Sequence, residues 1–499
     1  MKNRLLITIY SFALLISSVQ LGYANDFNLP DLGTPSDSSL SPVQEKEIRD
    51  SIINQIYQYN LVMTDPIIAD YIKQLGFRLA ANSEDPEAPF DFFIVNQNVV
   101  NASAYPGGLI IIYSGLFLKS DTESELAGVV AHEIAHATQR HISRFYANSK
   151  KNIIPTILGL VGAAVAAQAS DSPDAPVAVL AASSALQQQN IINFTRGNEY
   201  EADRVGISTL KKSNFNPLGM AGFFEKLMRD RPIDERYQLP EYLRTHPLSI
   251  NRVSEAKNRA HSDTPIEYNE SELYPLVKER IRVFAKNTDI DQTAYYRDKY
   301  QESSLVDITN AELYGYALAA YLSHDYQTAS KVIAQVQKTD RTSLIISILE
   351  VKIQSAIDWS KGKLRFDQLL RLYPTSPVVI EPYIQLLHKS NNIEDRKEAR
   401  DLARKLVDIY PDNANYYSLL AISNQNLGKS IEANEALAMR EHIIHNNYKA
   451  VRILKNILKS ELDYYQRARI ESKITKFENL ISDRERNYEK SQELPESRR

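Results

Sequence analysis

The stretch VVAHEIAHATQRH, Val129 to His141, sets three of the chain's nine histidines and one glutamate into an otherwise mostly apolar run. Just upstream, Ser120 and Glu123 stand three apart as in a capping box, which predicts a helix from about Asp121 to Arg144. On such a helix residues four apart lie about 40° from each other, so His132 and His136 share a face and can offer two imidazole nitrogens to one ion. That spacing suits tetrahedral zinc, one ion per chain. Glu133, the next residue after His132, falls beside the ion rather than on it, where a carboxylate can take a proton from a water the metal activates. Leu126, Val129, Val130 and Ile134 are available to bury the back of the helix. His141 is five residues past His136, rotated off the metal-facing side, and reads as a surface residue.

A zinc peptidase needs a third protein ligand and an open fourth position. The chain has no cysteine, so the ligand must be histidine or carboxylate, and disulfides are excluded. NEYEADRVG, Asn198 to Gly206, offers Glu199 and Asp203 on one helical face, with Glu201 about 200° around from Glu199. If Asp203 accepts the outer N–H of a ligand histidine such as His132, Glu199 is the residue on the metal. Glu201 stays the second choice. In RTHPLSINR, His246 precedes proline in a predicted loop and can reach where a helix cannot, and Arg252 is six residues on, able to orient it.

Outward from these motifs, 499 residues predict two or three domains. Residues 1–24 carry an early Lys2 and Arg4, an apolar run and small residues at Gly22 and Ala24, the pattern of a cleaved export signal. A Pro- and Ser-rich stretch predicts an extended arm over 25–44. Residues 45–265 then read as an α+β metallopeptidase domain, mostly helical with a small sheet, whose strands lie in PFDFFIVNQ and GGLIIIYSGLF. Within it, residues 153–190 are rich in Ala and Gly, a pair of packed helices or a flap that allows peripheral membrane contact.

Over 270–481 the texture is helical throughout. Ala329, Gly362, Ala399 and Ala433 recur at separations of 33, 37 and 34 residues, the tetratricopeptide period, which predicts an all-α solenoid. A charged tail, 482–499, reads as disordered. With 58 basic against 62 acidic residues, a net charge of -4 and no basic tract, nucleic acid is not an expected partner.

The ordered motifs NASAYPGGLIIIYSGLF, HEIAH, NEYEAD and HPLSINR together resemble the gluzincin metallopeptidases that include the prenyl-protein (CAAX) endopeptidases and the bacterial HtpX-type membrane proteases. The resemblance implies zinc on His132, His136 and Glu199, catalysis by Glu133, and a supporting carboxylate at Asp203. It sets His246 close to the metal, either steadying the oxyanion or filling the open coordination site. It also makes Asn101, Ala102, Ser103 and Ala104 the start of an edge strand that can pair with an extended substrate.

An export signal and a repeat half added to that domain are similar to the periplasmic members of the group. These members imply a protease and chaperone-like factor in outer-membrane β-barrel assembly, with unfolded or stalled barrel proteins as clients and contact to the assembly machine through the repeats. Two other readings compete: a scaffold or chaperone with vestigial proteolysis, and a general periplasmic scavenger protease.

Overall fold

The chain becomes regular earlier than its composition suggests. Gln44 N–H donates to Ser41 Oγ, Ser41 N–H donates to the Gln44 side chain, and Pro42 presets the first φ, so helix α1 (Pro42–Gln58) begins inside the expected arm. The computed structural model describes residues 40–144, 196–230, 241–261, 268, 270–285, 291–302, 308–336 and 343–481. The expected export signal, most of the arm, the apolar segment 153–190 and the charged tail lie outside them.

Helix α2 (Pro66–Ala80), capped by Asp65, precedes a sheet of β1 (Asp91–Val95), β2 (Ala102–Tyr105) and β3 (Leu109–Tyr113). The order is β1-β3-β2, with β1 parallel and β2 antiparallel to β3. The turn into β3 requires glycine: Gly107 and Gly108 have φ of 77° and 76°, and a Cβ on Gly108 would stand 1.6 Å from the Pro89 carbonyl oxygen.

After α3 (Ser114–Lys119) comes α4 (Glu123–Thr138), which carries HEIAH. Its cap is Thr122, whose Oγ accepts from Glu125 N–H, and not Ser120, which closes the preceding helix and donates its own hydroxyl to Leu116 O. Two capping registers overlap in this sequence, and the one placing Leu126, Val129, Val130 and Ile134 in the core prevails; all four are fully buried. The helix also stops short of Arg144. Arg140 adopts a left-handed φ of 49° and turns the chain before residues 141–144 resume helical geometry.

Against α4 pack α5 (Arg196–Lys212) and α6 (Leu218–Arg229); the short α7 (Glu241–Thr245) follows, and α8 (Ile250–Ala260) packs on α5 and α6. At the α4–α6 crossing a Cβ on Gly128 would lie 2.8 Å from Met220 Cα, so the two backbones approach as closely as glycine allows.

The rest of the described chain is helical. Helices α9 (Leu273–Phe284) and α10 (Gln292–Glu302) lead into five antiparallel pairs: α11 (Asn310–Leu322) with α12 (Tyr326–Ile333), α13 (Leu344–Ile357) with α14 (Trp359–Leu372), α15 (Pro377–Leu387) with α16 (Ile393–Ile409), α17 (Ala414–Asn426) with α18 (Ser430–Ile443), and α19 (Asn447–Ile457) with α20 (Tyr464–Glu478). Ala329, Gly362, Ala399 and Ala433 fall on the second helix of successive pairs, all buried where it crosses the first.

One continuous core runs from α2 and α4 through α9, α11 and α13 to Val379 of α15. Tyr274 of α9 stacks on Phe117 at 5.2 Å, and Arg280 makes a bidentate pair with Asp65 at 2.7 and 2.6 Å while donating to the Tyr314 hydroxyl. The repeats therefore begin as part of the core that also holds α2 and α4.

Candidate active site

Because α4 is covered on all sides, its polar face opens onto neighbouring helices instead of solvent. His132, Glu133 and His136 are each at most 1% exposed. The Nε2 atoms of His132 and His136 lie 3.0 Å apart. Glu199, in the first turn of α5, straddles them, its Oε2 3.5 Å from His132 Nε2 and its Oε1 3.5 Å from His136 Nε2. His246 follows α7 and adds a fourth donor: its Nδ1 is 3.4 Å from His132 Nε2 and 3.2 Å from Glu199 Oε1. The ligand atoms of His132, His136, Glu199 and His246 all lie within 4.8 Å of one another, the one such cluster among the described residues.

Glu133 stands beside this group. Its Oε2 accepts from Ala104 N–H at 2.9 Å, while Oε1 is buried with no hydrogen-bond partner among the described residues and lies 3.5 Å from His246 Nε2. The sheet explains the first contact. Tyr113 N–H donates to Asn101 O, so in the alternating antiparallel ladder Asn101, Ser103 and Tyr105 face β3, whereas Ala102 and Ala104 turn their N–H and C=O to the outer edge. The edge is covered in this state: Glu133 holds Ala104, Tyr242 N–H donates to Val100 O, and Asn101, Ala102 and Ala104 are buried.

Asp203 Oδ1 comes within 3.0 Å of His132 Nδ1, close though not aligned as a straight hydrogen bond. Arg252 anchors two of the three carboxylates of α5, Glu199 and Asp203. It donates twice to Asp203 at 2.8 Å, reaches Glu199 Oε2 at 2.8 Å, and donates to Pro247 O at 2.8 Å. Its hold on the His246 loop thus passes through the Pro247 carbonyl and Glu199 rather than through the imidazole.

These neighbours set the protonation of the site. Burial alone would lower His132, but hydrogen bonds and charge from Asp203 and Glu199 outweigh it and hold the pKa at about 9. His136 is pushed well below its ordinary value by burial and by the charge on His132. Burial works against ionised Glu199, yet His246 and His132 keep its carboxyl well below the usual range. Asp203 is lowered too, His132 and Arg252 prevailing over burial.

Sequence reasoning missed three things here. His141 is fully buried rather than on the surface, because the left-handed turn at Arg140 swings it back until its Nδ1 is 2.7 Å from Nδ1 of His136. Glu201 does not join the cluster of His132, His136, Glu199 and His246; it accepts from Arg144 and lies 3.1 Å from His141 Nε2. Tyr242 is stacked on His246 at 4.7 Å, and no motif marks it.

The profile of peptidase family M48 matches residues 66–260. The β-barrel assembly-enhancing protease of Escherichia coli (strain K12) is 34% identical over 334 residues, 67% of either chain. Its namesake from Yersinia pestis is 31% identical over 468 residues, 93% of this chain and 94% of its own. The mitochondrial metalloendopeptidase OMA1 of Arabidopsis thaliana is 28% identical over 252 residues, 48% of either chain.

Proposed function

This chain belongs to peptidase family M48, and from that membership we propose a zinc endopeptidase, held closed at rest, that serves quality control of outer-membrane β-barrel proteins in the periplasm. The family makes it a metalloendopeptidase. Zinc, the clients and the roles of individual residues are our reading.

The observation that carries it is the meeting of His132, His136 and Glu199 around one point, with Glu133 alongside. Two imidazoles and a carboxylate suit zinc, and the buried Glu133 Oε1 without a partner lies where a general base belongs. His132, His136 and Glu199 would hold the zinc, which would supply Lewis acidity toward water and the substrate carbonyl. Glu133 takes the proton from the attacking water and returns it to the leaving amine. Asp203 faces the outer nitrogen of His132, leaving Nε2 for the metal, and Arg252 fixes Glu199 and Asp203 in place. A substrate strand adds to the outward-facing groups of Ala102 and Ala104, taking over the Ala104 N–H from Glu133.

His246 supplies a fourth donor to the same point, which closes the set as in structural zinc sites. A client must therefore displace His246 before it is cut. Such latency fits an enzyme working among unfinished chains. The repeats would receive the barrel client or the assembly machine, and the names of the relatives support that client class. A complete set with Glu133 intact argues against a scaffold with vestigial proteolysis.

The test is Glu133→Gln, which keeps every proposed ligand. It is expected to retain one zinc per chain while cleavage of casein and of an unfolded barrel protein falls by about 10²–10⁴. Metal-free variant protein, or cleavage at the wild-type rate, would overturn the assignment.

A further inference from the structure

The two histidines proposed to hold the metal are supported differently. His132 has a carboxylate, Asp203, 3.0 Å from its outer nitrogen. His136 has another imidazole: its Nδ1 lies 2.7 Å from Nδ1 of His141. On the far side of that ring His141 Nε2 is 3.1 Å from Glu201 Oε2, which also accepts from Arg144 at 2.8 Å. His141 is fully buried, while the Glu201 side chain is 28% exposed.

A contact between two imidazole nitrogens holds one hydrogen, so one ring donates and the other accepts. His136 Nε2 is the atom that faces His132 and Glu199. To present a lone pair there, neutral His136 must carry its hydrogen on Nδ1, and that N–H then donates to His141 Nδ1. His141 is thereby the tautomer with hydrogen on Nε2, and donates it to Glu201. Every donor in the line has its direction fixed from Glu201 inward.

Resting on the reading of the metal site given above, we propose that His141 is a positioning residue that, backed by Glu201, fixes the tautomer and ring angle of His136 and so sets the affinity of the site for zinc. Glu201, weighed in the sequence as a metal ligand, acts instead through two rings. The T-shaped packing of His136 on His141, 4.8 Å between centroids at 74°, leaves their hydrogen-bonding edges facing. Outer partners of this kind are worth about 10–100-fold in metal affinity.

The test uses the full chain in the Glu133→Gln background, with zinc affinity read by competition with a chromophoric chelator. His141→Phe, which fills the space without a nitrogen, is expected to weaken zinc binding by about 10–100-fold. His141→Asn, whose Oδ1 stands near the position of Nδ1 and accepts the same hydrogen, is expected to recover most of it. Glu201→Gln, at a partly exposed carboxylate, should cause a several-fold loss and covers the case in which His141→Phe does not fold. A ¹⁵N spectrum of the loaded protein should show coupling between the two Nδ1 atoms across the shared hydrogen. Wild-type protein that takes up zinc, with affinity unchanged in both His141→Phe and Glu201→Gln, overturns the inference and leaves the site standing. Wild-type protein that takes up no zinc overturns the site and the inference together.

Discussion

Replacing Arg252 by methionine keeps the apolar stem and deletes the charge that Glu199 and Asp203 lean on. Four contacts at 2.8 Å disappear at once: two to Asp203, one to Glu199 and one to Pro247 O. Hydrogen bonds to charged groups contribute roughly 1.5–3 kcal/mol each, but they do not add. The governing magnitude is the removal of one partner from a buried ion pair, about 3–5 kcal/mol, because the other charge is stranded. Glu199 and Asp203 are 1% and 4% exposed, so solvent screens little of that penalty. Metal-free protein is expected to lose about 3–5 kcal/mol on guanidinium denaturation, measured in the Glu133→Gln background to prevent self-cleavage. A bound divalent cation faces Glu199 with new positive charge, so the zinc-loaded variant should lose clearly less. Arg252→Lys, unable to reproduce the planar fork, should fall between. A metal-free loss under about 1 kcal/mol, or equal losses with and without zinc, would refute the reasoning.

If His246 closes the site, His246→Ala raises casein cleavage and self-cleavage in the absence of client, and adding Glu133→Gln abolishes the gain; a fall in rate instead assigns the imidazole to the oxyanion. Because Asp203 and Glu199 hold metal-free His132 at about 9, that residue is protonated at pH 7 and neutral only above its raised pKa. Zinc binding at pH 7 should therefore expel roughly one proton and strengthen as pH rises toward 9, read by calorimetry in buffers of different ionisation enthalpy. Gly128→Ala gains about 1 kcal/mol of helix propensity but drives a methyl to 2.8 Å from Met220 Cα; overpacking of about 1–3 kcal/mol should win, and a raised melting temperature would contradict the tight crossing.

The parts of the site legible in the sequence are those that helical periodicity alone positions. His132 with His136, and Glu199 with Asp203, are four apart on helices that exist for independent reasons of apolar pattern, and the structure brings all four together. His141 escaped because its placement hangs on one left-handed residue, and arginine gives no hint of that conformation as glycine or asparagine would. The Ala104 contact to Glu133 escaped because a backbone N–H has no residue-type signature. At the start of α4, Ser120–Glu123 and Thr122–Glu125 are both plausible capping pairs two residues apart, and only burial of the helix decides between them. The small residues at the tetratricopeptide period marked the repeats, but the pairing of Asp65 with Arg280 joins positions 215 apart, beyond the reach of any local pattern.

That pairing has a consequence for how the molecule comes into being. Chain synthesis runs from the N-terminus, so α2, α3 and α4 are made well before α9 supplies Arg280 and Tyr274 to Asp65 and Phe117. At about 5–20 residues per second, 215 residues take roughly 10–40 s. Over that interval the newborn peptidase is itself an unfinished chain with an uncovered apolar face, the kind of object it is proposed to inspect. A chain that ends before α9 lacks the Arg280 and Tyr274 that meet Asp65 and Phe117, so completion of this core waits on the residues that lead into the repeats.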